Sequence, residues 1–428
     1  MNMQEATRLM KNDAATLATS SNSQRNEALE AIALALAANQ TSIFAANARD
    51  LAAADENDVS PTVKKRLKFD ESKLEACIDG LRQLQELPDP VGRVMLERQL
   101  DNDLNLYKVT VPIGVIGVIF EARPDALIQI AALCIKSGNC AILKGGKETA
   151  QTNRVLFDII QASVKRTGLP ENCLYQAELH SEIDELLACD ESVDLLIPRG
   201  SNKFVRYIMD NTKIPVMGHS SGVCHIFVDK DADLAKAMPI IVDAKTQYPA
   251  ACNAVEMLLV HRAIAADFLP QLASTMAEVG VTLRGTADVA QIIDVEEMDA
   301  EEFGTEYGDL VLAVTLVDDV QAAIGHINTY GSHHTDAILS ENGDTVSRFM
   351  RMVDSAGVYQ NCSTRFADGY RYGFGAEVGI STGKLHARGP VGLDGLVTYK
   401  YELYGEGQIV EDYVSGKKSF HYKDYKNE

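Results

Sequence analysis

The spacing of apolar residues predicts helices in the first part of the chain. Within 21–40, apolar residues recur at the i, i+3, i+4, i+7 spacing of an amphipathic helix, at Leu29, Ile32, Ala33 and Leu36. We interpret this segment as a packing helix that begins at a cap, either Asn22 or Ser23. The remainder of the first hundred residues, up to "ELPDPVG", is also expected to be largely helical.

After that point the pattern becomes that of strands. Residues 93–100 and 105–111 alternate around Asn102-Asp103, which predicts a hairpin. From 113 to 229, continuously apolar segments such as "GVIGVIF", "CAILK" and "VCHIFV" take turns with helical segments. Apolar strands that alternate with helices indicate a parallel sheet covered on both faces. A second block of this kind runs from 230 to about 390, so the fold class is α/β.

Length and charge restrict the class of protein. A chain of 428 residues suggests two or three domains. Its 40 basic and 61 acidic residues give a formal charge of −21, which argues against a nucleic-acid or anionic-membrane binder. An anionic substrate would therefore need a local basic cluster, because the overall field repels it.

The cysteines and the N-terminus indicate the compartment. The eight cysteines form no CxxC pair and no disulfide framework, which suits a reducing environment. The first twenty residues lack the apolar segment of a secretory signal, and no run of 18 apolar residues suggests a membrane span. We expect a cytoplasmic protein. No metal site is predicted, because the pairs His333-His334 and Cys224-His225 lack a second half at zinc-site spacing.

Two strand-to-helix junctions are candidates for a cofactor site. There is no GxGxxG, but "AILKGGKET" places Lys144 and Lys147 around two glycines. In "LIPRGSNKF", Gly200 precedes Ser201, the expected N-terminal cap of a helix. Parallel sheets bind ligands at such strand ends, although a Lys-Gly-Gly turn is more often only a turn.

Cys252 is the candidate nucleophile. In "YPAACNAVEMLLV" it follows a proline and precedes what we interpret as the start of a helix. A helix N-terminus would lower the pKa of a thiol and offer amides to an oxyanion. The alternative is that the small residues beside Cys252 indicate tight packing alone.

A basic segment near the C-terminus is the candidate anion site. Lys384, His386 and Arg388 alternate, so on an extended segment they would share one face. Arg365 and Arg371 are close in sequence, and the glycines between them suggest a loop that could wrap a small anion. The alternative is a solvated charged surface.

Long segments of the chain, from about residue 5 to 415, resemble the aldehyde dehydrogenase superfamily and, within it, the gamma-glutamyl phosphate reductase family. The segments that carry this resemblance are "VPIGVIGVIFEARPD", "SGNCAILKGGKE", "PRGSNKFVRYI", "IPVMGHSSGVCHIFVD", "YPAACNAVE", "YGSHHTDAI", "STRFADG" and "GKLHARGPVGL". The resemblance implies a Rossmann-like cofactor domain (1–91 and 110–225), an α/β catalytic domain (226–390) and a small β oligomerisation element (92–109 and 391–428).

The resemblance also implies a reaction. It is the NADPH-dependent reduction of L-glutamyl 5-phosphate to L-glutamate 5-semialdehyde with release of phosphate, a step of proline biosynthesis. The implied intermediate is a thioester on Cys252, with Asn253 as a candidate oxyanion donor. A homo-oligomer, dimer or tetramer, and a functional coupling to glutamate 5-kinase are further expectations.

The cofactor residues implied by the resemblance follow the two junctions. Lys144 matches a lysine at the adenosine ribose, Gly200 and Ser201 the turn beside the phosphates, and Glu306 the glutamate at the nicotinamide ribose. Many relatives that prefer NAD have an acidic residue three positions after that lysine. Lys147 stands there in this chain, which predicts NADPH.

Two departures from aldehyde-oxidising relatives affect the chemistry. The segment 214–228 contains no carboxylate, so the base that hydrolyses the thioester in those relatives is missing. The upstream oxyanion asparagine is replaced by "FEARPD".

The residues expected to hold the substrate phosphate and α-carboxylate are Arg365, Lys384, His386 and Arg388. The rival functions are reduction of another acyl donor such as an acyl-CoA, a cysteine acyltransferase or hydrolase without a redox step, and a silent homologue.

Overall fold

The computed structural model of this protein describes residues 2–179, 181–219 and 221–425. Met1, which begins the predicted cofactor domain, and residues 426–428, which end the predicted oligomerisation element, lie outside the described residues. Within them the α-helices are α1 Met3–Ala18, α2 Asn22–Ala38, α3 Gln40–Glu56, α4 Pro61–Leu67, α5 Glu71–Glu86, α6 Pro124–Lys136, α7 Ala150–Arg166, α8 Ser181–Leu187, α9 Asn202–Asp210, α10 Leu234–Thr246, α11 Ala265–Glu278, α12 Ala287–Ala290, α13 Val320–Tyr330, α14 Gly343–Met352 and α15 Val410–Val414.

The strands form three larger sheets and one short pair, β14 with β15. They are β1 Val94–Asp101, β2 Leu104–Pro112, β3 Val115–Ile119, β4 Cys140–Lys144, β5 Leu174–Ala177, β6 Leu195–Pro198, β7 Cys224–Val228, β8 Val255–His261, β9 Thr282–Gly285, β10 Glu296–Glu297, β11 Val311–Val317, β12 Thr335–Leu339, β13 Gly357–Gln360, β14 Gly379–Ser381, β15 Gly389–Val391, β16 Val397–Tyr404 and β17 Lys423–Tyr425.

The first parallel sheet has the order β5-β4-β3-β6. Its register places Ile119 opposite both Lys144 and Pro198, so three strands end at the same level. The loops that follow them therefore start at one edge, where parallel sheets bind ligands. The predicted strands β3, β4 and β6 are confirmed. Strand β5 was not predicted, because its residues "LYQA" lack a clear strand pattern.

The second parallel sheet has the order β10-β9-β11-β8-β7-β12-β13 and is covered on both faces. Successive side chains of a strand point to opposite faces. Accordingly Ile226 and Val228 pack in one apolar cluster, and Phe227 between them packs in another. This two-sided burial confirms the α/β class predicted from the continuously apolar strands.

The third sheet is antiparallel, with the order β16-β2-β1-β17. The predicted hairpin is confirmed, and its turn contains Asp103 with φ 56°, in the left-handed region that Asp tolerates. Strand β16 pairs with β2 along its whole length and is an edge of the sheet in the described part of the chain. The residue limits that were predicted for the three domains stay a prediction.

One predicted helix boundary is wrong. The cap of α2 is Ser21, not Asn22 or Ser23: its hydroxyl accepts from Gln24 N, and the Gln24 side chain accepts from Ser21 N. This reciprocal capping box satisfies two helix-terminal donors at once, and Gln24 is the required partner three residues later.

No single helix among the described residues has both the length and the apolar composition to cross a membrane. In the described part of the chain, only α2 and α3 taken together pass that test, and they meet at an angle of 71°.

Candidate active site

A cleft with a volume of about 380 Å³ opens at the carboxyl edge of the first sheet and reaches the start of β8. Its walls come from five longer segments and three single residues. The segments are the loop after β3, the loop between β6 and α9, the turn before β8, the segment 365–368 and the segment 377–380, and the single residues are Arg66, His219 and Glu306. Cys252, Asn253, Gly200, Glu306 and Arg365, all predicted as site residues, line this cleft.

Cys252 does not lie at a helix N-terminus, so that prediction is wrong. It lies in a turn between α10 and β8, and the residues after it form a buried strand. The turn is closed by hydrogen bonds from Ala251 N to Tyr248 O (3.2 Å) and from Ala254 N to Ala251 O (2.8 Å). The amides of Cys252 and Asn253, between these two bonds, have no acceptor among the described residues. Two adjacent free amides can serve as oxyanion donors.

The backbone of Cys252 is packed against Gly222. A Cβ at Gly222 would lie 2.6 Å from Cys252 Cα, from Cys252 O and from Glu306 Oε1. No side chain fits there, so this glycine lets three segments meet beside the sulfur. It was not predicted as a site residue.

Cys252 differs from the other cysteines in its surroundings. All eight cysteines are free, and six of them are buried. Burial raises the pKa of the Cys77, Cys134 and Cys173 thiols to about 12, so these thiols are inert at neutral pH. Cys252 and Cys362 are half-buried, and Cys252 is the one that lines the cleft.

Four arginines line the same cleft: Arg66, Arg123, Arg199 and Arg365. Among the described residues none of the four has a carboxylate partner within salt-bridge distance. Burial lowers the pKa of Arg199 and of Arg365, but an arginine keeps its charge at neutral pH. Unpaired cations in a chain of charge −21 form the local basic cluster that an anionic substrate requires.

The four arginines come from four separate parts of the chain. Arg365 Nε donates to Gln247 Oε1 (2.9 Å), and the nearest acceptor of Arg66 Nη2 is Tyr248 OH at 3.5 Å. Arg123 and Arg199 follow β3 and β6. Of the four, only Arg365 was predicted. Arg123 and Arg199 fall within quoted motifs, "FEARPD" and "PRGSNKF", but no local pattern indicates that they converge.

The predicted face of Lys384, His386 and Arg388 does not exist. The segment is bent, with His386 at φ 68°, and does not alternate as a strand would. Lys384 and Arg388 both pair with Asp354 (2.5 and 3.1 Å), while His386 Nε2 lies 2.8 Å from Gly395 O. The lysine hydrogen bond holds the pKa of Asp354 below its usual range. The structure places none of the three in the cleft, so their role in substrate binding stays a prediction without structural support.

The cofactor residues lie along the carboxyl edge of the first sheet. Lys144 ends β4, and its Nζ donates to Gly145 O (2.7 Å); burial lowers its pKa. Lys147 is exposed just beyond the two glycines. A Cβ at Gly146 would lie 3.2 Å from Ala122 N, so the backbones of two loops approach closely there.

At the next loop, Ser201 caps α9 as predicted, accepting from Phe204 N at 3.4 Å. Ser201 N points to Glu121 Oε1 (3.3 Å), and a Cβ at Gly200 would lie 2.7 Å from that oxygen. Glu306 reaches the same helix start, because Asn202 Nδ2 donates to Glu306 Oε2 (2.5 Å). In this nine-residue helix the amides of Asn202 and Lys203 have no acceptor in the described part of the chain, and such an end next to a glycine suits a dinucleotide phosphate.

Asn253 is buried and supports the loop that carries Arg365. Its Nδ2 donates to Ala367 O (2.8 Å), and its Oδ1 has no partner in the described part of the chain. One amide proton is thereby occupied, so an oxyanion role for Asn253 stays a prediction.

Carboxylates reach the cleft from segments other than 214–228. They belong to Glu121, Glu306, Asp368 and Glu377. Glu306 is engaged by Asn202, and Glu377 Oε2 accepts from Gly369 N (2.9 Å). Burial raises the pKa of Glu377, because a low-dielectric environment disfavours the charged form of its carboxyl group.

Comparisons with known proteins identify the family of this chain. The aldehyde dehydrogenase family matches residues 1–302. The gamma-glutamyl phosphate reductase of Picosynechococcus sp. is 56% identical over 397 residues, 93% of each chain. That of Pelotomaculum thermopropionicum is 53% identical over 429 residues, 99% of each chain. The crystal structure of gamma-glutamyl phosphate reductase from Thermotoga maritima is 38% identical, with a TM-score of 0.93, over 95% of this chain and 99% of that one. The predicted fold and resemblance are confirmed.

Proposed function

Because the chain belongs to the aldehyde dehydrogenase family, among the proteins named gamma-glutamyl phosphate reductase, we propose that it reduces L-glutamyl 5-phosphate. The products are L-glutamate 5-semialdehyde and phosphate, and the step belongs to proline biosynthesis. The observation that carries the proposal is the half-buried Cys252 in a cleft with four unpaired arginines.

The first step is acyl transfer to the sulfur. The Cys252 thiolate attacks the γ-acyl carbon, the bond from that carbon to the phosphate oxygen breaks, and phosphate leaves with the electron pair. The leaving group needs neutralisation of its charge more than a proton, and Arg199 and Arg365 are the cations that act electrostatically on Cys252. The remaining arginines, Arg66 and Arg123, suit the substrate α-carboxylate.

The second step is reduction of the thioester. Lys144, Gly200, Ser201 and Glu306 would hold a reduced nicotinamide dinucleotide, which would supply the hydride for the thioester carbon. The free amides of Cys252 and Asn253 are our candidates for donors to the oxygen that becomes negative there. Collapse of the hemithioacetal frees the semialdehyde and restores the thiolate.

Water must not cleave the thioester before reduction. The described carboxylates of the cleft are engaged by hydrogen bonds from the protein, as for Glu306 and Glu377, and none comes from 214–228. This favours an acyl-enzyme that waits for hydride or phosphate, as a reductase of an acyl phosphate requires.

The cofactor that we propose is NADPH. Lys144, Gly200, Ser201 and Glu306 lie along one sheet edge and suit a dinucleotide, and Lys147 is an exposed cation three residues after Lys144. A cation there suits a 2′-phosphate. Lys147→Glu should lower the affinity for NADPH more than that for NADH, measured by fluorescence titration of each.

The decisive test of the mechanism is Cys252→Ser. Reduction should be abolished while NADPH still binds, because serine is a far weaker nucleophile than a thiolate. Cys362→Ser is the matched control, since Cys362 is also half-buried but does not line the cleft. Near-normal turnover of Cys252→Ser would refute the mechanism.

The reverse assay with semialdehyde and NADP should require phosphate. Turnover with an acyl-CoA in place of the acyl phosphate would favour the rival function.

We also propose a homo-oligomer assembled through the antiparallel sheet, whose edge strand β16 is rich in exposed aromatic side chains. The free state of all eight cysteines supports a reducing compartment, the cytoplasm. A coupling to glutamate 5-kinase stays a prediction.

A further inference from the structure

Two histidines lie beside the sulfur of Cys252. One ligand atom each from His219, Cys252 and His334 lie within 4.8 Å of one another. The rings of His219 and His334 meet edge to face, with centroids 5.2 Å apart. The three residues come from the loop before β7, the turn before β8 and the start of β12. Spacing along the chain did not predict this cluster.

The Nδ1 atom of each ring is already engaged. His219 Nδ1 lies 3.0 Å from Ile380 O, and a carbonyl can only accept, so Nδ1 carries the proton and Nε2 keeps its lone pair. His334 Nδ1 lies 3.0 Å from Thr335 Oγ1. Metal-bound histidines have this arrangement, in which one ring nitrogen binds the ion and the other is held by a protein oxygen.

His334 supplies an independent indication of a ligand. Its side chain is 1% exposed, and its Nε2 has no hydrogen-bond partner within the described residues. A buried polar atom without a partner is costly, and a ligand that reaches it removes that cost.

The donor set selects a class of cation. One thiolate and two imidazoles suit zinc and similar divalent ions, whereas magnesium and calcium prefer oxygen ligands. Tetrahedral zinc with bonds of about 2.0–2.3 Å keeps its ligand atoms roughly 3.5 Å apart. Side-chain movements of about 1 Å would therefore bring the three atoms into place, and the cleft leaves a fourth position open to water.

We propose that Cys252 Sγ and the Nε2 atoms of His219 and His334 form a three-ligand site for zinc. Binding forms one zinc–sulfur and two zinc–nitrogen bonds and releases the thiol proton to solvent. The metal site itself does not rest on the proposed function. Its consequence does: zinc occupies the sulfur that attacks the substrate, so the metal is a reversible inhibitor of the reductase.

The charges nearby limit the affinity. Arg199 and Arg365, which act electrostatically on Cys252, repel a dication, while the Glu306 carboxylate, packed beside Gly222 and Cys252, attracts it. We therefore expect zinc that a chelator removes readily, unlike the zinc of a closed structural site.

The test is a titration of the full-length, folded protein with Co²⁺ and Zn²⁺ alone. One Co²⁺ per chain should give a near-ultraviolet thiolate-to-cobalt charge-transfer band, which Zn²⁺ abolishes by displacement. The band should vanish in Cys252→Ser, and affinity should fall at least about tenfold in His334→Ala and in His219→Ala. Alkylation of Cys252 by iodoacetamide should be slower with Zn²⁺ present.

The matched controls are Cys362→Ser, which removes a second half-buried thiol, and His333→Asn, which changes the neighbour of His334. His333 has φ 59°, a conformation that asparagine tolerates, so that variant should fold and bind cobalt as the unmodified protein does. Circular dichroism and NADPH titration check the folding of each variant.

The outcomes separate this proposal from the proposed function. No charge-transfer band, or a band that persists in Cys252→Ser, overturns the metal site whether or not the protein is a reductase. A band that depends on Cys252, together with inhibition that a chelator reverses, supports both. A third outcome is a band that depends on Cys252 while zinc leaves turnover unchanged. That result would support the metal site and refute the role of Cys252 as nucleophile.

Discussion

The side chains that surround Cys252 are separated by large distances along the sequence. Arg66 and Arg365, almost three hundred residues apart, line one cleft, where Arg66 lies near the hydroxyl of Tyr248 and Arg365 lies over its ring. Gly222 allows the cysteine turn and Glu306 to pack together. The reactivity of the thiol is therefore set by tertiary contacts, and single substitutions at these contacts should alter catalysis more than stability.

Arg365→Gln should lower kcat/KM for the acyl phosphate by about 10- to 100-fold, because a charge-assisted hydrogen bond to an anion is worth about 1.5–3 kcal/mol. Arg365→Lys should recover part of the loss, since it keeps the charge without the planar fork. Steady-state kinetics with varied substrate measure both. Arg262→Gln, at a surface arginine paired with Asp288 and Asp318, is the control and should leave the kinetics unchanged.

The same assay on Lys384→Gln tests the basic segment. Since the structure places Lys384 against Asp354 and outside the cleft, its effect on kcat/KM should be much smaller than that of Arg365→Gln. An equal effect would restore the interpretation made from the sequence.

Gly222→Ala should reduce turnover by about tenfold or more. The added methyl would overlap Cys252 and Glu306, and displacement of reacting groups by about 1 Å can cost up to about 100-fold in rate. Gly325→Ala is the matched control. This exposed position in α13 has no atom within 4 Å of a new Cβ, so activity should be unchanged and stability should rise by about 0.5–1 kcal/mol. Full turnover of Gly222→Ala would show that the packing beside Cys252 is not critical.

At the scale of elements, local patterns predicted most helices and strands, but they missed the type of β8 and the cap of α2. The apolar run after Cys252, "AVEMLLV", was interpreted as a helix but is strand β8. A short, largely apolar run fits a buried parallel strand and a buried helix equally well, because period 2 and period 3.6 cannot be distinguished in it. Periodicity alone could therefore not decide this case. The cap of α2, in contrast, was decided by a side chain three residues away.

Ser21→Ala should destabilise the protein by about 1 kcal/mol through loss of the capping box. Ser23→Ala, inside the first turn of α2, should have little effect and is the control. Chemical denaturation gives both free energies of unfolding. A larger loss in Ser23→Ala would support the cap predicted from the sequence.

The whole molecule combines two parallel sheets with an antiparallel one that leaves a strand edge open. On β16, Tyr399, Tyr401 and Leu403 alternate and so share one face, and each is about half exposed. Monomeric proteins rarely expose apolar side chains in such a row, so we expect a second copy of the chain to cover this face.

Tyr401→Glu should convert the oligomer to a smaller species, because a buried unpaired carboxylate is costly at an interface. Light scattering after size-exclusion chromatography measures the mass. Leu34→Glu places the same charge at a similarly exposed apolar position of α2 and should leave the mass unchanged. If the unmodified protein is already a monomer, assembly through this sheet is refuted.

The sequence by itself determined the α/β class, the two-sided parallel sheets and most of the helices and strands, because period, apolar run length and turn residues act over a few neighbours. It also indicated Cys252 as the candidate nucleophile, a role that stays a prediction. Only the tertiary structure decided which cations face that sulfur, that His219 and His334 flank it, and that Lys384 and Arg388 turn to Asp354. Those contacts depend on how sheets dock and on single backbone angles, such as the positive φ of His386, which no local periodicity encodes.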